Sequence, residues 1–177
     1  IGIQFQEIEK QFSMLDVEDE IAFGLENLNF SQEDIKKRVV DSLKTVDLSK
    51  KINSKLKKLS GGEKQKVGIA SVLAMDPDIL IFDSLFSHLD QRSSKMVSIL
   101  LEKLKRDLGK TIIIFEYKTD NILQIVDKIG IMNDKGELEC FGKPDQIIED
   151  IGIDSLIKKG IWLPQLLEII KIKDKNK

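Results

Sequence analysis

Apolar and polar residues alternate from Ile1 to Phe5, the pattern of a short strand. A polar stretch then carries the chain from Gln6 to Ser13. Acidic Glu18, Asp19 and Glu20 open a helical segment over 16–25, where the helix dipole favours them. Ile35, Val39, Leu43 and Val46 fall on one face, which predicts a helix over 32–46 with Ser31 as its cap. Lys50, Lys51, Lys55, Lys57 and Lys58 mark a solvated basic connection. Residues 16–58 therefore read as a mostly helical insertion.

A further helix is predicted over 62–74, closed by the helix-ending pair Asp76-Pro77. The run Ile79-Leu80-Ile81-Phe82 predicts a strand buried on both faces, as in a parallel sheet. Asp83 stands at its C-terminal end, where open α/β sheets place ligand-binding groups. Met96, Ile99, Leu100 and Leu104 recur at helical spacing over 92–106, and 111–115 reads as another buried strand. An apolar helix face over 122–126 follows. Two short strands at 129–132 and 137–141 flank Asn133-Asp134-Lys135-Gly136, a hairpin turn. Pro144 suits the first turn of a short helix ending near Asp150. Ile161-Trp162-Leu163-Pro164 introduces a last helix to about residue 172, with a frayed basic tail over 171–177. Strands alternating with helices predict an α/β fold with a mainly parallel sheet flanked by helices.

Composition narrows the function. Hydrophobic residues make up 41% and charged residues 33% of 177, an ordinary globular balance rather than a disordered one. The net charge of -2 argues against a dedicated nucleic-acid binder. A lone cysteine, Cys140, forms no internal disulfide and points to a reducing compartment; in its strand-like run it reads as a buried, inert thiol. No apolar run approaches the ~18 residues that span a bilayer, so any membrane role is peripheral, from the cytoplasmic side. Ile1 enters a strand at once, which reads as the middle of a domain.

Chemistry concentrates at Leu59-Ser60-Gly61-Gly62-Glu63. Two glycines at the start of a helix let backbone N–H groups approach an anion, and the helix terminus adds partial positive charge. Ser60-x-x-Glu63 is equally a capping box, a common way to begin a helix. The wider order decides how these readings combine: Gln6 after a strand, the Leu-Ser-Gly-Gly helix start, the strand ending in Asp83, then Ser87-His88-Leu89-Asp90. Together these resemble the C-terminal part of an ATP-binding cassette (ABC) transporter ATPase. Leu59–Glu63 matches the family's signature motif, 79–83 its Walker B strand, Gln6 the Q-loop glutamine and Ser87 to Asp90 the D-loop. Phe5-Gln6 with Gln11-Phe12, the helix containing Ile21-Ala22-Phe23-Gly24-Leu25, and Trp162-Leu163-Pro164 with Leu166-Leu167 are similar to the ATPases of energy-coupling factor transporters. Those are bacterial importers of vitamins and of cobalt or nickel.

The resemblance implies a partial P-loop NTPase fold and an ATP and Mg²⁺ chemistry shared between two subunits. Ser60, Gly61 and Gly62, with Glu63 beside them, would contact the γ-phosphate of a nucleotide held by the partner. Asp83 would hold Mg²⁺, directly or through water. Gln6 would sense the phosphate or metal and relay its state to the membrane subunit, and Asp90 would lie at the subunit contact. Taken singly, Gln6 is an ordinary loop residue, Asp83 a strand-end turn former and Asp90 a helix cap. The implied partners are a second ABC ATPase, identical or paralogous, and a transmembrane coupling protein seated near residues 6–12 and the helical insertion. The implied location is peripheral, on the inner face of the cell membrane.

Departures from the family pattern count as much as matches. No Gly-x-x-x-x-Gly-Lys-Ser/Thr occurs in these 177 residues, so the phosphate cradle and its lysine are missing. Ser84 stands where the water-polarising Glu belongs, a loss that typically costs ~10²–10⁴-fold, or roughly 3–5 kcal/mol of barrier. Leu85-Phe86 replaces the usual Pro-Thr, and Tyr117 falls where a switch histidine contacts the γ-phosphate. Its neighbour Glu116 would face phosphate charge and is a poor substitute base. His88, the one histidine, reads as an exposed loop imidazole. The half-site of this chain is therefore expected to be degenerate. The expected organisation is 1–15 as Q-loop strand and loop, 16–58 as helical subdomain, 59–150 as signature, Walker B, D-loop and switch region, and 151–177 as a C-terminal helical extension and tail. Two other readings stay open: a non-catalytic interaction or regulatory module that keeps the fold, and a soluble ABC-type ATPase acting on DNA or ribosomes. The acidic balance and the absence of coiled-coil heptads weigh against the latter.

Overall fold

In the computed structural model, residues 1–87, 89–117, 119 and 122–161 are described. They divide into two compact units, one over residues 1–116 and a second that begins at Tyr117. His88, the segment Trp162-Leu163-Pro164 with Leu166-Leu167, the last helix and the basic tail lie outside the described residues.

The first unit is built on three parallel strands, β1 (Gly2–Gln4), β2 (Ile79–Asp83) and β3 (Thr111–Phe115), in the order β1-β2-β3. Register places Gln4 beside Phe82 and Asp83 beside Phe115. All three strands therefore finish along one edge. Parallel neighbours need the chain to cross back between them. Helix α4 (Gly61–Ala74) makes the return between β1 and β2, and α5 (Gln91–Leu108) the return between β2 and β3. Both helices thus start at the edge where the strands end. Gly109, at φ +61, stops α5 in the left-handed conformation that glycine tolerates.

Leu80 and Phe82 are buried with Val67, Ile69, Ala70, Val97, Leu101 and Leu104 of α4 and α5. The opposite sheet face is different. Ile3, Phe5, Ile113 and Phe115 are 42–58% exposed. The expected burial is thus corrected for both strands: 79–82 is buried on the Leu80–Phe82 face only, with Ile79 and Ile81 half-buried, and 111–115 has one open face, because α4 and α5 leave that side of the sheet uncovered.

Between β1 and α4 lie α1 (Ile8–Gln11), α2 (Val17–Asn27), α3 (Gln32–Thr45) and two short 3-10 turns, Ser49–Lys51 and Leu56–Lys58. The polar stretch after Gln6 contains the four-residue α1, which the pattern did not predict. Ser31 caps α3 by accepting from the Asp34 N–H at 3.1 Å, and the predicted apolar face, Ile35, Val39, Leu43 and Val46, is buried.

The second unit holds an antiparallel hairpin, β4 (Ile129–Met132) and β5 (Leu138–Gly142), followed by α6 (Pro144–Ile151) and α7 (Ile153–Lys158). Asn133 Oδ1 accepts from Lys135 N at 3.0 Å and Glu137 N at 2.9 Å, and Gly136 has φ +77, as the predicted turn needs. Its core is Ile131, Ile147 and Leu156. The helix predicted over 122–126 is instead a set of turns. Val126 N reaches Ile122 O at 3.1 Å, but a run this short does not sustain a helix. Cys140 on β5 is half-buried rather than buried. No helix among the described residues is long and apolar enough to cross a membrane.

Candidate functional site

Leu59 is buried and anchors the chain immediately before α4. Ser60 then takes the cap position: its Oγ accepts from Glu63 N at 3.3 Å, and Glu63 Oε2 accepts from Ser60 N at 2.9 Å. Both halves of the capping box are present. Lys51 Nζ braces the other carboxylate oxygen of Glu63 at 3.0 Å. With the cap serving residue 63, the Gly61 and Gly62 amides have no acceptor within the helix. Ser60 and Gly61 are exposed. The cap leaves Ser60 and Gly61 exposed at the start of α4, so capping this helix does not occupy the two glycine amides.

The Ser60 backbone N–H, and then Lys51, hold the Glu63 carboxyl below its ordinary value of 4.5. A lowered folded value means that ionised Glu63 stabilises the start of α4 above pH 4.5 and that this contribution fades as pH falls through the lowered value. Glu63→Gln is expected to flatten that part of the acid unfolding curve, followed by far-ultraviolet circular dichroism.

Gly62 is required by its neighbour. A Cβ there would stand 2.7 Å from Ser93 Oγ and 2.9 Å from Ser93 Cβ. Ser93 belongs to the first turn of α5, whose cap is Asp90: Asp90 Oδ1 accepts from Ser93 N at 2.7 Å. That bond is the main cause lowering the Asp90 carboxyl. The starts of α4 and α5 thus touch, and Asp90, exposed, is occupied as a helix cap.

A second group lies along the strand ends. Asp83 closes β2, and Ser84 turns away with φ +50, its N–H reaching Phe115 O at 2.8 Å. Ser84 Oγ donates to Asp83 Oδ1 at 3.2 Å, and Ser87 Oγ to Ser84 O at 2.8 Å. Glu116, just past β3, accepts from Phe86 N at 2.9 Å. Its carboxylate is thus directed to the 84–87 turn. Gln6 is exposed at the exit of β1 on the same edge. The donor set offered there, the Asp83 carboxylate and the Gln6 amide oxygen, is hard oxygen. It fits Mg²⁺, which takes one or two protein ligands and completes its shell with phosphate and water. Among the described residues no three His, Cys, Asp or Glu side chains converge as an all-protein metal cage. Tyr117 belongs to the second unit and is 47% exposed.

Several buried polar groups escaped the sequence reading, Gln4, Gln65 and Glu20 among them. Gln4 Nε2 donates to Gln65 Oε1, joining the Gln6 strand to α4 through a buried amide pair. The alternation over 1–5 put Gln4 on the polar face, whereas the Gly2 and Gln4 face is the buried one. Glu20, counted above among the dipole-favoured acids, is buried and accepts from Ser13 N and Met14 N.

Comparison with known proteins adds the family. Residues 1–87 match the family model described as ABC transporter. The chain is 39% identical over 158 residues to the energy-coupling factor transporter ATP-binding protein EcfA1 of Mycoplasmopsis synoviae, covering 89% of this chain and 59% of that protein. It is 41% identical over 178 residues to the EcfA1 protein of Fusobacterium nucleatum, covering 99% and 65%. The solved structure of cbiO1 from Clostridium perfringens, described as part of the ABC transporter complex cbiONQ, superposes with a TM-score of 0.79 at 29% identity, covering 96% of this chain and 66% of that one. The chain thus spans roughly three fifths of the length of these curated relatives.

Proposed function

We propose, from the premise that the chain belongs to the ABC transporter ATP-binding family, that it serves an energy-coupling factor type importer by completing the ATP site of a second ATPase subunit. The observation that carries this reading is the capped start of α4, with Ser60 and Gly61 exposed and the Gly61 and Gly62 amides outside the helix's own hydrogen-bond ladder. In this role they bind the γ-phosphate of ATP held by the partner, and Glu63 keeps them in place. Asp90 and Ser93, packed beside them, lie at the subunit contact.

Asp83 and Gln6 would hold Mg²⁺ at the chain's own half-site. The ion supplies charge neutralisation of the phosphates there. Ser84 offers a hydroxyl where a carboxylate would orient water, and in the sequence Tyr117 replaces the family's switch histidine, so this half-site is read as hydrolytically degenerate. Glu116 does not replace the base, because its carboxylate is engaged at Phe86 N.

The transmembrane coupling protein would dock on the cytoplasmic side in a groove of about 330 Å³ lined by Phe12, Met14, Leu15 and Leu56 together with the charged Glu9, Lys55, Lys57 and Lys64. A non-catalytic module with the same fold would use neither nucleotide site. Titration of fluorescent ATP into the partner ATPase separates the two readings. Adding this chain is expected to tighten binding by about tenfold or more, equivalent to about 1.4 kcal/mol. Unchanged affinity would favour the non-catalytic module.

A further inference from the structure

Glu20 takes no part in nucleotide chemistry, yet it is the acid of the helical region most deeply committed to one contact. It is 6% exposed, and a single oxygen, Oε2, accepts from Ser13 N at 2.8 Å and from Met14 N at 2.9 Å. Burial pushes its carboxyl up, and the two N–H bonds pull it back only in part. A buried carboxylate is costly unless its bonds do something a neutral residue would not.

What Glu20 holds is the strip 13–16. The far side of that strip is stitched to the lysine-rich connection: Leu56 N donates to Leu15 O at 2.9 Å, Val17 N to Ser54 O at 3.0 Å, and Lys55 Nζ pairs with Asp16 at 2.6 Å. At its near end the strip continues from α1, whose Ile8 is buried over Gly68 of α4 and whose Glu9 pairs with Lys64. A backbone clamped on both sides carries outward-facing apolar residues, and Leu15 is 78% exposed. A leucine left in solvent on a fixed backbone is a presented contact, unlike one on a fraying loop.

We infer that Glu20 is a positioning residue for docking: its carboxylate fixes the backbone at Ser13 and Met14, so that Phe12, Met14 and Leu15 meet the transmembrane component as a preformed wall. This rests on the docking reading given above. Glu20 touches neither nucleotide nor partner and acts only through the two amides. A Gln at position 20 keeps a carbonyl oxygen for them; a Leu of similar volume leaves both without an acceptor.

The test uses the protein with the transmembrane component of the energy-coupling factor transporter from the same genome, both purified in detergent. Affinity is measured alongside amide hydrogen exchange at residues 13 and 14. Glu20→Gln is expected to stay within about twofold of wild type. Glu20→Leu is expected to speed exchange at those two amides and to weaken binding, each by about tenfold or more, with exchange in α4 unchanged. If the Leu variant does not fold, Glu20→Asp, one methylene short, replaces it and is expected to move both readouts by about threefold or more. Wild-type affinity with the amides released overturns the inference. So do amides that stay protected, an Asp variant matching wild type in both readouts, or a Gln variant as weak as Leu. Absence of binding by the wild-type protein overturns the docking reading itself, and the inference with it.

Discussion

Ser60→Arg lowers ATP hydrolysis by the assembled subunit pair by about 10²-fold or more, while the chain stays folded. Removing one preorganised donor from a site of developing charge costs on the order of 10²–10³-fold. Here the change also sets a long side chain in front of the Gly61 and Gly62 amides. The fold tolerates it because Ser60 is exposed and, among the described residues, its side chain bonds only within the capping box. Loss of that cap costs about 1 kcal/mol, a small share of a typical 5–15 kcal/mol stability. Phosphate release and the thermal midpoint, measured on one preparation, separate the two effects. A fall in rate with a shift of only a few degrees is the expected pair of results.

Phe82→Ala produces the largest loss of stability, about 3–5 kcal/mol, because the vacated volume lies where the sheet meets its helices. Phe82 is 1% exposed on the central strand, registered between Gln4 and Ile114. Leu80, Leu101 and Leu104 are buried as well, and well-packed neighbours collapse only partly into a cavity. Asp83 follows directly in the chain, so loosening Phe82 also loosens the strand-end group. Urea unfolding followed by circular dichroism should show a lower midpoint, and a midpoint within error of wild type would contradict this packing.

Locally coded features were legible before the fold was known. Ser31, Ser60 with Glu63, Pro144 and the Asn133 turn each carry their own hydrogen-bond or torsion logic, and the elements they start or join stand where that logic puts them. The apolar run over 79–82 likewise announced the central strand. Features that depend on what packs against them were not legible. The β-branched run over 111–115 makes a strand in either environment, but whether both faces are covered is decided elsewhere in the chain. The apolar run over 122–126 has helical spacing yet is too short to hold a helix without support. Glu20 and Gln4 look like ordinary polar positions in one dimension. Only the tertiary arrangement brings Glu20 onto two amides, and Gln4 onto Gln65.

At the candidate site, residue identity was readable and residue company was not. Asp83, Ser84 and Gln6 fall on one edge because three parallel strands end there, which alternation of strand and helix already implied. That Ser93 would require Gly62 to be glycine, or that Glu116 would turn to the backbone of Phe86, needed coordinates. Both facts bear on mechanism. The first sets the start of α4 against the start of α5, and the second directs one oxygen of Glu116 to the 84–87 turn.

The steady-state ATPase rate of the assembled pair, measured with Ser84→Ala beside Ser60→Arg, tests the division of labour most directly. Among the described residues Ser84 Oγ bonds only to Asp83, so its loss is expected to leave the rate within about twofold, against about 10²-fold or more for Ser60→Arg. Equal losses from the two changes would contradict the account, because they would put hydrolysis in this chain's own half-site as well as in its partner's.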